Sequence, residues 1–194
     1  MKKQFYLLYV ISFLFSVMLP AQADGMMDRL SRVKAAFILN IARYVEWPDT
    51  HKNSEDKEFQ LCFYRKNPLG PAIKSIHNKR IGSKRLRTHI MDSLDQLNGC
   101  NLLFLTQTQM AEIADQIAGM TDAQVADQYA LLFNENILTM GDLSNQVDRK
   151  VKIEGVTICL IRESTRIGIE INMSSLNNSN LKISSELLKL SKRN

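Results

Sequence analysis

Glycine, proline and cysteine are all scarce in this chain of 194 residues, which contains 8, 4 and 3 of them respectively. So few glycines and prolines exclude collagen-like and low-complexity architectures. Three cysteines are too few for a disulfide scaffold, and they lack the paired spacing of a zinc module. With 45% hydrophobic and 23% charged residues, the composition is that of an ordinary globular protein, and the length suits one domain.

The sequence also lacks the motifs of the common catalytic and nucleotide-binding sites. It contains neither a glycine-rich dinucleotide fingerprint, nor a P-loop, nor a Gly-x-Ser-x-Gly nucleophile elbow. Its three histidines, His51, His77 and His89, show no spacing typical of metal ligands. We therefore expect no enzyme activity, no metal site and no cofactor.

Long apolar runs are confined to the N-terminus, where Phe5–Leu19 follows four residues that include two lysines. Pro20 breaks this run, and Ala21-Gln22-Ala23 then offers small residues at the positions that signal peptidase reads. We expect residues 1–23 to be a secretory signal peptide that is cleaved before Asp24. The alternative is an uncleaved N-terminal anchor, but a run of about 15 residues is shorter than the roughly 20 that span a bilayer.

Neither sign of charge is in large excess. The chain has 25 Lys and Arg and 20 Asp and Glu, which gives a net charge of +5. Removal of Lys2 and Lys3 with the signal peptide lowers this charge to +3. A positive net charge this small argues against nucleic acid as a partner, and the expected export to the periplasm argues against it further. Residues 24–194 are enough to bury one substantial core without a metal.

Helical and strand patterns alternate along the mature chain. A hydrophobic period of 3.6 predicts a first helix over Asp28–Trp47, ended by Pro48. Strands are predicted over Glu58–Arg65, Arg85–Met91, Cys100–Leu105, Ile137–Met140, Val156–Arg162 and Arg166–Asn172. Further helices are predicted over Thr106–Gly119, Asp122–Asn134 and Leu187–Lys192. The sequence thus predicts an α/β fold, a single domain with a mostly parallel sheet flanked by helices, a C-terminal β-hairpin and a closing helix.

The cysteines suggest one disulfide bond, because export makes such bonds possible. Cys62 lies within one predicted strand and Cys100 opens another, so the two are neighbours if those strands are adjacent. A Cys62–Cys100 bond closes a loop of about 38 residues, nominally worth about 4 kcal/mol. We expect Cys159, inside a later strand, to be a buried thiol. The alternative for all three is a small core residue.

Six segments together resemble one known family. Lys34 to Pro48, which reads KAAFILNIARYVEWP, resembles the opening helix of the YfiR family. The other five segments are Phe59–Tyr64, Cys100–Leu105, Ile137–Asp142, Arg166–Asn172 and Leu181–Leu190. Each segment is weakly specific alone, but their order over nearly the whole mature chain makes the resemblance specific.

The resemblance implies a small exported protein that restrains a membrane-bound diguanylate cyclase, the enzyme that makes the second messenger cyclic di-GMP. It implies binding to the periplasmic sensor region of that cyclase, without catalysis, and a disulfide at Cys62 and Cys100. Cys159 has no neighbouring cysteine for the second bond found in some members. Gly141-Asp142-Leu143-Ser144 also replaces the more usual S-D-L-P.

Four residues are candidates for the partner-binding surface. Glu170 and Asn172 lie two apart on one face of a strand, opposite two isoleucines. If the isoleucines face the core, Glu170 and Asn172 face outward and can offer polar contacts to a partner. The alternative for this pair is a hydrogen bond to the N-terminus of the last helix. Lys189 and Lys192, on the exposed side of that helix, complete the predicted surface.

The leading hypothesis is therefore a periplasmic regulatory binding protein that acts on a membrane cyclase, with a homodimer left open. The second hypothesis is a periplasmic small-molecule sensor without a cyclase partner. An α/β sheet offers a crevice at the carboxyl ends of its strands, and we expect the loops after Tyr64, Leu105 and Met140 to line it. An exported hydrolase is disfavoured, because the sequence reveals no nucleophile–base pair.

Overall fold

The computed structural model describes residues 21–48, 57–128, 136–145 and 155–193. The helices are α1 (Ala21–Arg43), α2 (Gln107–Ala118), α3 (Asp122–Gln128), α4 (Met173–Asn177) and α5 (Ser185–Leu190). The strands are β1 (Val45–Glu46), β2 (Glu58–Tyr64), β3 (Arg80–Ile81), β4 (Lys84–Met91), β5 (Leu102–Thr106), β6 (Leu138–Leu143), β7 (Ile158–Glu163), β8 (Arg166–Ile171), β9 (Lys182–Ile183) and β10 (Ser191–Arg193). Short 3₁₀ helices span Gly70–Ser75 and Leu94–Leu97.

Eight of these strands form one sheet, in the order β10-β8-β7-β6-β5-β2-β4-β3. Strands β4, β2, β5, β6 and β7 run parallel, whereas β8 returns antiparallel to β7. Strands β1 and β9 pair separately. This arrangement confirms the predicted α/β fold, with its mostly parallel sheet, C-terminal hairpin and closing helix.

The sheet separates two apolar cores because successive side chains of a strand point to opposite faces. On one face, Phe63 and Phe104 meet edge to face, with ring centroids 6.2 Å apart, and α1, α4 and α5 cover them. On the other face, Leu103 and Leu105 pack beneath Met110 of α2. Burial on both faces explains why β5 has a continuous apolar sequence rather than an alternating one.

The first helix buries a stripe that follows the apolar period only in part. Ala35, Ile38, Ile41 and Ala42 are buried, whereas Tyr44, which follows Ile41 at helical spacing, is 39% exposed. The helix also ends at Arg43 rather than near Trp47. The reason is that the next two residues form β1, which pairs with β9.

The end of the chain differs from the prediction as well. The last helix stops at Leu190, and Ser191–Arg193 continues as β10, parallel to β8. The predicted helical position of Lys192 is therefore wrong, and the hairpin lies one strand in from the edge. An edge strand presents unpaired backbone groups, and β10 satisfies those of β8. Part of the predicted helix Asp122–Asn134 is confirmed by α3, and its remainder lies outside the described residues.

Candidate functional site

A disulfide bond joins Cys62 and Cys100, the pair that the sequence favours, with a Cα–Cα distance of 6.0 Å. The two residues meet because β2 and β5 are neighbours in the sheet. Cys62 is fully buried, so the bond lies inside the second core. Cys159 forms no disulfide and is half-buried, less enclosed than the buried thiol that the sequence predicts.

A crevice opens at the carboxyl ends of β2, β5 and β6. The chain passes from β2 to β4 on one side and then crosses to β5 on the other, which makes this a topological switch point of the sheet. Ligands bind at such points in open α/β sheets. The cavity there measures about 520 Å³ and includes Lys34, Lys66, Thr108 and Asp142. The predicted crevice, lined by the loops after Tyr64, Leu105 and Met140, is therefore present.

A buried ion pair lies within this crevice. The Lys34 ammonium is 2.6 Å from one carboxylate oxygen of Asp142, and the two side chains are only 8% and 10% exposed. The other carboxylate oxygen accepts hydrogen bonds from the Ser144 hydroxyl, at 2.6 Å, and from its backbone N–H, at 3.1 Å. The pair ties α1 to the end of β6 across 108 positions of sequence.

The turn after β2 brings two further cations to the crevice. Arg65 has a left-handed backbone conformation, with φ of 61°, which few residues other than glycine adopt. Its guanidinium lies 4.7 Å from the Tyr64 ring centroid and 3.0 Å from the carboxylate of Glu112. Lys66 follows it and is exposed. Both residues line the cavity.

The N-terminus of α2 forms a third side of the crevice. Thr106 and Gln109 make a capping box, in which each side chain bonds the backbone N–H of the other. The Gln109 amide also donates to the carbonyl oxygen of Tyr64, which ties the helix to the end of β2. This box satisfies the N–H groups of Thr106 and Gln109, and Gln107 and Thr108 line the cavity between them.

The four predicted partner-binding residues do not form one surface. Glu170 lies in register opposite Lys192 on β10, and the Lys192 ammonium is 2.9 Å from the Glu163 carboxylate. The neighbouring Ile169 and Ile171 are buried, as the pattern predicts. Glu170 and Lys192 therefore share the sheet face opposite the first core.

Asn172 has a local structural role instead. Its side-chain oxygen accepts hydrogen bonds from the backbone N–H groups of Ser174, at 3.1 Å, and Ser175, at 3.2 Å. Asn172 is thus the N-cap of α4. The alternative of a bond to the last helix is wrong for this residue, since Ser184 caps α5. The strand pattern missed this cap because α4 is only five residues long.

Lys189 is separated from Glu170 and Lys192. It is exposed on α5, and that helix packs through Leu187 against the first core. The sheet therefore lies between α5 and the face that carries Glu170. Of the predicted surface, the structure brings together only Glu170 and Lys192.

Sequence reasoning missed the Lys34–Asp142 pair, although both residues belong to segments that resemble the family. One sequence feature could have indicated this pair. Lys34 is next to Ala35, on the side of α1 that is buried in the structure. Within the four described ranges, no cluster of His, Cys, Asp and Glu is suited to hold a metal ion. Among those same residues, no helix has both the length and the apolar character needed to cross a membrane.

Comparison with known proteins identifies a family over most of the chain. A family model described as YfiR/HmsC-like matches residues 31–192. The match begins in α1 and ends within β10, so it includes the other seven strands of the sheet and most of β10. No curated protein matches the chain.

Proposed function

Because the chain belongs to the YfiR/HmsC-like family, we propose that it is a periplasmic protein that represses an inner-membrane diguanylate cyclase and so lowers cyclic di-GMP. The observation that carries this proposal is the family match over residues 31–192. The Cys62–Cys100 disulfide supports it, because such bonds persist in oxidising compartments such as the periplasm. Residues 1–23 are the signal peptide in this proposal, and residues 24–194 are the exported domain.

The repression is a matter of binding, not catalysis. A regulator that binds the inactive state of the cyclase more tightly than the active state shifts the population toward the inactive one. The shift is limited by the difference between the two affinities. The regulator binds the periplasmic sensor region, and its removal lets the active state repopulate.

The contact surface that we propose centres on Glu170 and Lys192, on the edge formed by β8 and β10. Adjacent charges of both signs suit a polar partner, and complementary charges across an interface give specificity. Lys189 belongs to a separate surface on α5 and serves as the comparison. Asn172 is left out because its side chain caps α4.

Deletion of the gene tests the function directly. Cellular cyclic di-GMP should rise and surface attachment should increase, and expression of the wild-type chain should reverse both. Unchanged cyclic di-GMP, under conditions in which the cyclase is expressed, would overturn the proposal.

A charge reversal at one residue tests the contact surface. The Glu170→Lys protein should be exported and folded but should no longer lower cyclic di-GMP, whereas Lys189→Glu should still do so. Loss of repression by both variants, or by neither, would place the interface elsewhere. Thermal unfolding of each purified variant distinguishes a lost contact from a lost fold.

A small-molecule sensor is the second candidate function, and the cavity of about 520 Å³ at the switch point favours it. Pockets that hold small ligands have volumes of about 300–1,000 Å³. A metabolite that stays bound through purification would support a sensor. The two functions are compatible if the ligand tunes the regulator.

A further inference from the structure

Within the described residues, the Lys34 ammonium has more hydrogen-bond donors than acceptors. A lysine ammonium carries three N–H donors, and Asp142 is the only acceptor that the described part of the chain offers to Lys34. The side chain is 8% exposed, and buried polar groups normally find partners. Because Lys34 lines the crevice, an acceptor that enters it can take the remaining donors.

The first two residues of α2 line the same space. The first N–H groups of a helix have no partner within the helix, and the capping box of α2 uses those of Thr106 and Gln109. The N–H groups of Gln107 and Thr108 are left, and both residues line the cavity. Lys34 of α1 and the first turn of α2 therefore line one cavity from opposite faces of the sheet.

The charges of the crevice favour an anion. Its two carboxylates are already engaged, Asp142 with Lys34 and Glu112 with Arg65. Lys66 lines the cavity and is exposed, and no ion pair forms between it and an acid in the described ranges. Three cations against two carboxylates leave the crevice with a positive balance.

The size of the crevice favours an organic ligand over an inorganic ion. A volume of about 520 Å³ lies within the range of pockets that hold small organic molecules. Leu30 and Pro68 contribute apolar lining to it. An ion bound at Lys34 leaves most of this space empty, whereas an organic acid places its anionic group at Lys34 and its carbon skeleton against the apolar wall.

We propose that this crevice binds a small organic anion through a carboxylate or phosphate group. The anionic group accepts hydrogen bonds from Lys34 and from the first amides of α2, and Lys66 attracts it from the rim. This deepens the second candidate function and does not depend on a cyclase partner.

Calorimetric titration of the exported, extensively dialysed protein tests the proposal. The probes are carboxylates and phosphate monoesters, led by succinate and glycerol 3-phosphate, with neutral succinamide and glycerol as matched controls and inorganic phosphate as a third arm. At least one organic anion should bind with a Kd below about 1 mM, and its neutral analogue should not bind. Carboxylates and phosphate esters are separate arms, so the titration also distinguishes the two anionic groups.

Two variants locate the binding. Lys66→Gln should weaken anion binding about three- to fivefold, since an exposed ion pair is worth little more. Lys74→Gln makes the same charge change on the 3₁₀ helix outside the cavity, and it should leave anion binding unchanged. The double variant Lys34→Met/Asp142→Asn, which leaves no buried charge unpaired, should weaken binding about 10- to 100-fold. Circular dichroism of each variant verifies the fold.

Three results would overturn the proposal. They are the absence of binding by every organic anion, binding of inorganic phosphate alone, and equal effects of Lys66→Gln and Lys74→Gln. None of them bears on cyclase repression, which is measured by cyclic di-GMP in the deletion strain. The failure of one proposal is therefore distinguishable from the failure of the other.

Discussion

Cys62 and Cys100 join two central strands through a bond that is buried in the second core. A cross-link of this kind limits the conformations of the unfolded chain, and its loss from a small exported domain costs about 2–5 kcal/mol. Cys159 takes no part in it. The stabilising role of cysteine in this protein therefore belongs to one pair.

Cys62→Ser should lower the free energy of unfolding by about 2–5 kcal/mol, and Cys62→Ser/Cys100→Ser by a similar amount. Urea unfolding, monitored by circular dichroism, measures both, and Cys159→Ser is the control that should change stability little. Peptide mapping without reductant should find the Cys62–Cys100 pair and leave Cys159 open to alkylation after unfolding. A mapped disulfide that contains Cys159 would contradict the assignment.

Gly141 lies in β6 beneath Met110 of α2. A Cβ atom built at this position would lie 2.6 Å from Sδ of Met110 and 3.3 Å from Sγ of Cys159. The glycine therefore leaves room for the Met110 side chain of α2 to pack against the sheet.

The Lys34–Asp142 pair has a predictable energetic signature. Lys34→Met alone leaves the Asp142 carboxylate buried without its counter-charge, and removal of one partner of such a pair destabilises by about 3–5 kcal/mol. Lys34→Met/Asp142→Asn removes both charges and should be clearly more stable than the single variant. Urea unfolding of the two variants and of Asp142→Asn completes a double-mutant cycle. Additive effects would show that the two charges do not interact.

At the scale of elements, the tail of the chain is an additional strand. Ser191–Arg193 pairs with β8 in parallel register, and an ion pair between Lys192 and Glu163 holds it from the side. This exposed pair is worth little by itself. The main effect of β10 is to cover the backbone edge of β8, because uncovered edges pair with other chains.

Removal of residues 191–194 should therefore expose the edge of β8. We expect a lower Tm and concentration-dependent self-association, whereas removal of Asn194 alone should leave both unchanged. Thermal unfolding and light scattering provide the two measurements. A truncated protein that stays monomeric, with an unchanged Tm, would show that β10 has no protective role.

At the scale of the whole molecule, the proposed function requires that the N-terminal segment directs the chain to the periplasm. The basic start, the apolar run and Ala21-Gln22-Ala23 predict cleavage before Asp24. N-terminal sequencing of protein from the periplasmic fraction should begin at Asp24. Recovery of the full-length chain from the inner membrane would favour the anchor instead.

Much of the fold is readable from local sequence. The apolar run Cys100–Leu105 predicts a strand buried on both faces, and β5 has that property. The paired patterns of Val156–Arg162 and Arg166–Asn172 predict the antiparallel hairpin of β7 and β8. These predictions hold because the period of apolar side chains is set by the geometry of each element. The first helix shows the limit of such predictions. The apolar pattern of a helix predicts its rotation about its own axis, relative to the sheet, only to within about one residue.

The sequence by itself determined the α/β class and the order of most elements, since each depends on apolar periodicity. It favoured the Cys62–Cys100 pair only on the condition that the two strands are neighbours, which the sheet order decided. The tertiary structure alone decided that Asn172 caps a helix, that Lys192 lies in a strand, and that Lys34 meets Asp142 in the crevice. The last contact joins residues 108 positions apart, and no local pattern encodes such a distance. The contact between Lys34 and Asp142 forms only when α1 and β6 pack in one particular arrangement, so the crevice is a property of the folded chain.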